Sequence, residues 1–166
     1  MSIYELAQLN IATLKAPLDS PLLADFVANL ERINALAEGN PGFRWRLESD
    51  AGDATAFRPM GEDVIVNLTV WRDLDALRAF VFRSDHVEIM RRRGEWFERM
   101  ADAYLVMWWV PRGHRPSVEE AVARLLHLRA HGASAYVFGF RTPHAAPDAA
   151  ASSGLAAGPF DTCPAA

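Results

Sequence analysis

The sequence predicts an α+β fold whose elements run β-α-β-β-α-β, with an antiparallel sheet and an extra C-terminal helix and short strand. Three observations carry that expectation. Val64-Ile-Val-Asn-Leu-Thr-Val-Trp71 is β-branched and apolar through most of its length, the composition of a central strand. Leu23, Phe26, Leu30, Ile33 and Ala37 recur at helical spacing, one stripe of an amphipathic helix. Ala103-Tyr-Leu-Val-Met-Trp-Trp-Val110, closed by Pro111, supplies another strand after a long helical stretch. The chain has 166 residues, of which 51% are hydrophobic, enough for one domain with a core and short of two.

Taken in order, Ile3-Tyr-Glu-Leu-Ala-Gln-Leu-Asn-Ile11 reads as a strand ending near Asn10. Ser20-Pro21 offers an N-cap and a proline at the first helical position, and Gly39 stops the helix that follows. Gly42-Phe-Arg-Trp-Arg-Leu-Glu48 alternates apolar and charged residues, the period-two pattern of a half-exposed strand. A long loop rich in Gly, Asp and Ala leads to Asp63. After the central strand come a short helix over 72–82 and a second helical piece over 85–100. Pro116-Ser117-Val-Glu-Glu120 is a capping box, and Gly132 ends the helix it opens. Ala135 to Phe140 is a candidate edge strand. From Pro143 the composition turns to Ala, Pro, Ser and Gly, so the expected organisation is a domain over 1–142 and a disordered tail over 143–166.

Composition excludes several roles. A net charge of −4 argues against a protein that works by neutralising phosphates. Lys15 is the only lysine, so arginine at any one position is partly a habit of this chain. The single cysteine, Cys163, permits neither a disulfide framework nor a thiolate metal site. No apolar run approaches a membrane span, and Met1–Asn10 lacks a signal-peptide layout, so a cytoplasmic protein is expected. RNA recognition on such a sheet needs stacking aromatics, whereas the central strand carries Asn67 and Thr69.

The segment Ser84-Asp-His-Val-Glu-Ile-Met-Arg-Arg-Arg-Gly-Glu-Trp-Phe97 resembles a basic patch only until it is wound into a helix. His86, Met90, Arg93 and Phe97 then share one face, with Ile89 and Trp96 beside them. Glu88 with Arg92, and Glu95 with Arg99, make i, i+4 pairs on the other. Asp85 reads as the N-cap, which places His86 in the first turn, where the positive helix end favours a neutral imidazole able to accept a proton. The purely structural alternative has His86 bonded to a core carbonyl and Arg93 paired with a carboxylate such as Glu5. On the central strand Val64, Val66, Leu68 and Val70 form an aliphatic face; Ile65, Asn67, Thr69 and Trp71 form a mixed one. The mixed face is expected to line a cavity beneath the helices. Two helices cover only one face, so a second sheet is expected against the aliphatic one.

This order of elements is that of the ferredoxin-like split βαβ. Asn10 closing the first strand, Gly42-Phe43 opening the second, Thr69-Val70-Trp71 ending the third, and a helix with Phe80 and Ser84-x-His86 resemble the dimeric α/β-barrel superfamily. That superfamily includes the antibiotic-biosynthesis and the haem-degrading monooxygenases. Over roughly residues 3 to 141 the chain is similar to a bacterial family of unknown function within it. The resemblance implies a homodimer whose sheets pack face to face as a barrel, and a small-molecule oxidoreductase of biosynthesis that uses no cofactor. Asn10 or Asn67 would hold a substrate oxygen, and His86 would remove a phenolic or enolic proton of an aromatic or polyketide-like substrate. Trp71, Trp109, Trp45, Met90, Phe97 and Arg93 would bind its body. Haem is the alternative cofactor: Asn10 matches the haem degraders, but Phe80 and Arg91 stand where they carry a Trp and a ligand His. A non-catalytic ligand or haem binder, and an isomerase or cyclase with the same base, are the competing functions. His127 and His131 have a metal-ligand spacing but face outward, so no metal is expected.

Overall fold

The computed structural model describes residues 2–149. Strands β1 (Tyr4–Thr13), β2 (Phe43–Arg46), β3 (Val64–Trp71) and β4 (Leu105–Pro111) form one antiparallel sheet in the order β2-β3-β1-β4. Helix α1 (Ala24–Glu38), entered through a 3-10 turn at Pro21–Leu23, joins β1 to β2. Helices α2 (Leu74–Arg83) and α3 (His86–Trp96) join β3 to β4, and α4 (Val118–His131) follows. Placing β1 and β3 side by side in the centre is the split βαβ arrangement, so the α+β, ferredoxin-like architecture stands. No helix among the described residues is long and apolar enough to cross a membrane.

The local chemistry explains most boundaries. Asp73 caps α2 by accepting from the Ala76 amide at 2.8 Å, and Ser117 caps α4 by accepting from the Glu120 amide at 3.1 Å. At α3 the expected cap differs. Asp85 makes no side-chain cap; Ser84 Oγ accepts from the His86 amide at 3.2 Å and donates to the Phe80 carbonyl, tying α3 to the end of α2. Helix α3 stops at Trp96, so Arg99 lies beyond it and the Glu95–Arg99 pair does not form. Arg92 pairs with Glu95 and Asp25, each at 2.8 Å, rather than with Glu88.

Residues 135–140 form no strand. Phe138 makes one antiparallel bridge to Met107, exchanging bonds of 2.8 and 2.9 Å, and the chain then leaves the β4 edge. Residues 143–149 continue over the body: the His144 carbonyl accepts from Trp109 Nε1 at 2.9 Å, Ala146 is buried, and Asp148 accepts from the Ile3 amide and from Ser2 Oγ. The remainder of the expected tail, residues 150–166, lies outside the described residues.

The two faces of the sheet carry different cores. Ala7, Leu9, Ile11, Val66, Leu68, Val70, Val106, Trp108 and Val110 make the aliphatic side, all buried within the single chain. The expectation that only a second sheet could cover this side is corrected. Ala121 and Leu125 of α4 are fully buried on it, and Phe57 and Met60 of the 47–63 loop pack beside them. Burial therefore supplies no argument for a partner on this face. The opposite side, with Leu6, Trp71 and Met107, lies under α1, α2 and α3.

Candidate functional site

Between that second face and the three helices lies a cavity of about 200 Å³. The expected stripe is split in use: Leu23 is buried away from the cavity, whereas Phe26, Leu30, Ile33 and the buried Ala37 line it. Of the expected site residues, Asn10, Asn67, Trp71, His86, Met90, Arg93 and Phe97 all line this one space.

Trp45 and Trp109 do not. At β2 the pairing advances from Phe43↔Trp71 to Trp45↔Val70, so two residues of β2 match one step of β3. Arg44 is the extra residue of a β-bulge, and the bulge reverses the face presented after it. Phe43 therefore meets Trp71 edge-on at 5.4 Å, while Trp45 packs on the aliphatic side with Leu47. A period-two reading, which assumes an unbroken strand, places Phe43 and Trp45 together. Trp109 is on the cavity side of β4 but is covered by Phe138 and held by the His144 carbonyl.

The cavity floor is a directed chain of hydrogen bonds. Trp71 Nε1 donates to Thr69 Oγ1 at 2.9 Å, and Thr69 Oγ1 donates to Gln8 Oε1 at 2.9 Å. Gln8 Nε2 donates to Asn10 Oδ1 at 2.8 Å, and Asn67 Nδ2 donates to the same oxygen at 2.9 Å. Thr69 Oγ1 accepts the indole N–H and gives its own proton to Gln8. The Gln8 amide oxygen faces Thr69 and its nitrogen faces Asn10. Asn10 consequently presents Nδ2, a donor, to the cavity, and Asn67 presents Oδ1, an acceptor. Gln8 and Thr69 are buried, and each sits opposite its partner in the β1–β3 register: Gln8↔Thr69, Asn10↔Asn67.

An aromatic column rises from this floor. Trp71 stacks on Phe80 with centroids 5.0 Å apart, and Phe80 meets the His86 ring at 4.8 Å. Burial among these rings holds the His86 pKa below its ordinary value. The nearby Val81 carbonyl, which favours the protonated ring, offsets this only in part. The neutrality expected from the helix end thus arises chiefly from desolvation. His86 Nδ1 is buried, with no partner in hydrogen-bond geometry among the described residues.

Arg93 faces the cavity with its guanidinium 4.6 Å from the centre of the Tyr104 ring. It does not pair with Glu5, which is buried against Arg44 at 3.2 Å and accepts from the Gly113 amide at 3.1 Å. Phe97 closes one side, edge-on to Phe26 at 5.0 Å.

Thr69 lines the cavity as expected of the mixed face of β3, whereas sequence reasoning missed Gln8, Phe80 and Tyr104 as parts of the site. Gln8 carried a usable signal, being a polar residue in the same alternation as Asn10. Tyr104 falls inside the strand expected over 103–110, but β4 begins at Leu105, so strand alternation does not set its direction. No group of three or more His, Cys, Asp or Glu that could hold a metal occurs among the described residues. The His127 and His131 rings lie against each other at 4.5 Å, and His127 packs on Tyr136.

Among solved structures, the chain is similar to SnoaB, a cofactor-independent oxygenase from Streptomyces nogalater. The two are 17% identical over 70% of this chain and 98% of that one, with a TM-score of 0.43. A conserved protein from Methanosarcina mazei Go1 is 13% identical over 66% of this chain and 93% of its own, with a TM-score of 0.47. A dabb family protein with a ferredoxin-like fold from Mesorhizobium loti is 17% identical over 66% and 99%, with a TM-score of 0.41. No relative was found among curated proteins. One family model, described as Domain of unknown function (DUF3291), matches residues 5–154, and the chain belongs to that family.

Proposed function

We propose that this protein oxidises a compact phenolic or enolic aromatic molecule with dioxygen, using His86 as the base and no cofactor. The carrying observation is that a desolvated, neutral histidine and an oriented Asn10–Asn67 pair share one apolar-walled cavity. His86 takes the acidic proton, and Asn10 donates to the oxygen on which negative charge develops. Deprotonation makes the ring electron-rich enough to react with dioxygen. In the balanced reaction a ring C–H and an O–H become a quinone: one oxygen atom enters the ring and the other leaves as water, so no external reductant is required. A cavity of about 200 Å³ is smaller than the roughly 300–1,000 Å³ of common ligand pockets, which favours one or two fused rings over a macrocycle such as haem.

The test is oxygen uptake with 1-naphthol as the first substrate. The expected result is one dioxygen consumed per 1,4-naphthoquinone formed, with the rate falling by about 10²–10⁴ in His86→Ala. An unchanged rate in that variant, or a Soret band in the purified protein, would overturn the reading. A homodimer is part of the same proposal. Exposed Phe82, Leu126 and Tyr136 offer apolar surface for it, and light scattering at micromolar concentration decides the matter.

A further inference from the structure

Two arginines, Arg46 and Arg93, line the cavity, and their circumstances differ. Arg46 is spent on structure: it bonds Glu38 at 2.7 Å, Glu48 at 3.0 Å and the Gly52 carbonyl at 2.8 Å. The lining carboxylate, Asp53, is engaged by Thr55 through its amide at 2.8 Å and its hydroxyl at 2.6 Å. Arg93 forms no salt bridge and donates no side-chain hydrogen bond among the described residues. Its guanidinium lies over the Tyr104 ring, 4.6 Å from the ring centre. An aromatic face holds a guanidinium in place without using its N–H groups, which radiate in the guanidinium plane. Half-buried and backed by that ring, Arg93 is a positioned cation without a carboxylate partner among the described residues. In a site partly shielded from water, such a cation attracts an anion more strongly than the same arginine on an open surface would.

We infer that the ligand of this cavity carries a permanent carboxylate and that Arg93 is the residue that selects it. This rests on the cavity being the small-molecule site proposed above, and it adds a feature that deprotonation by His86 does not require. A phenol becomes anionic only during reaction; a carboxylate is anionic on arrival and would be held by Arg93 before chemistry begins. Asn10 and Asn67 then read neutral oxygens elsewhere on the same ring system.

Binding of 1-naphthoate and 1-naphthamide, measured by calorimetry, tests this, because the two share a ring system and differ mainly in charge. The expected result is about tenfold tighter binding of the carboxylate. That preference should disappear in Arg93→Met and return in part in Arg93→Lys, which keeps the charge and loses the fork. Near-UV dichroism confirms that each variant is folded. Equal affinities in the unaltered protein, a preference that survives Arg93→Met, or binding of neither probe would overturn the inference. Failure here is distinguishable from failure of the oxidation reading, since neutral 1-naphthol would still be turned over with His86 in place.

Discussion

Thr69 Oγ1 donates to Gln8 Oε1 at 2.9 Å, across the β1–β3 ladder and out of contact with solvent. Thr69 also accepts from Trp71, so this bond links the indole N–H through Gln8 to Asn10. Thr69→Val keeps the shape and leaves both neighbours unpaired. Its expected cost is about 1–3 kcal/mol of stability in urea denaturation, the penalty for orphaned buried groups. The double variant Thr69→Val with Trp71→Phe removes one orphan as well. It should cost less than the sum of the two single changes, and strict additivity would mean that the relay is not coupled.

How far the sequence reveals this arrangement depends on the range of the forces involved. Val64–Trp71 declares itself as a strand because β-branched density is a local property, and the structure keeps those same limits. The two faces of β3 are likewise legible, since alternation is geometric. Trp45 was misplaced because a bulge at Arg44 depends on how β2 meets β3, which no window of β2 contains. The cover of the aliphatic face was missed for a related reason. Helix α4 covers it with Ala121, Leu125 and Leu128, a tertiary contact that the sequence of the strands does not contain. His86 and Arg93 were found by helical projection, but what surrounds them, Phe80 and Tyr104, comes from neighbouring elements.

Gly42 tests whether the position of α2 matters to the site. A Cβ there would lie 2.2 Å from Ala76 Cβ, a separation that bonded geometry cannot tolerate between unbonded carbons. Gly42→Ala must push α2 away from the β2 edge, at an expected cost of about 1–3 kcal/mol. Adding Ala76→Gly removes the colliding atom and should restore part of that stability. The recovery stays incomplete because a glycine inside a helix costs roughly 0.5–1 kcal/mol. Since α2 also carries Phe80, the single variant is expected to weaken 1-naphthol turnover together with the urea midpoint.

The His86 titration gives a signed prediction. Its folded-state pKa is lowered by burial, so the unfolded chain binds the proton more readily. The stability associated with the neutral ring is therefore present above the ordinary pKa of about 6.5 and is lost as pH falls from there through the folded value. Urea midpoints measured from pH 7.5 downward should decline through this window, and His86→Gln should decline less steeply. A steeper decline in the variant would contradict the sign.

The segment after residue 142 was expected to be a tail, yet its first residues hold parts of the sheet together. Two shortened chains, ending at Ala149 and at Thr142, both lack residues 150–166 and differ only in 143–149. The shorter loses the His144 carbonyl bonded to Trp109 Nε1, the buried Ala146, and the Asp148 carboxylate that accepts from Ile3 and Ser2 at the start of β1. Uncovering the Trp109 ring and Ala146 should lower stability by roughly 1–3 kcal/mol. It should also move Trp109 emission to longer wavelength, and repeating the comparison in Trp109→Phe isolates that indole from the others. The cavity lies on the same side of the sheet as Trp109 but does not include it. The shorter chain is therefore expected to keep its 1-naphthoate affinity while losing stability; a parallel loss of both would mean that 143–149 orders the cavity as well as the β4 edge.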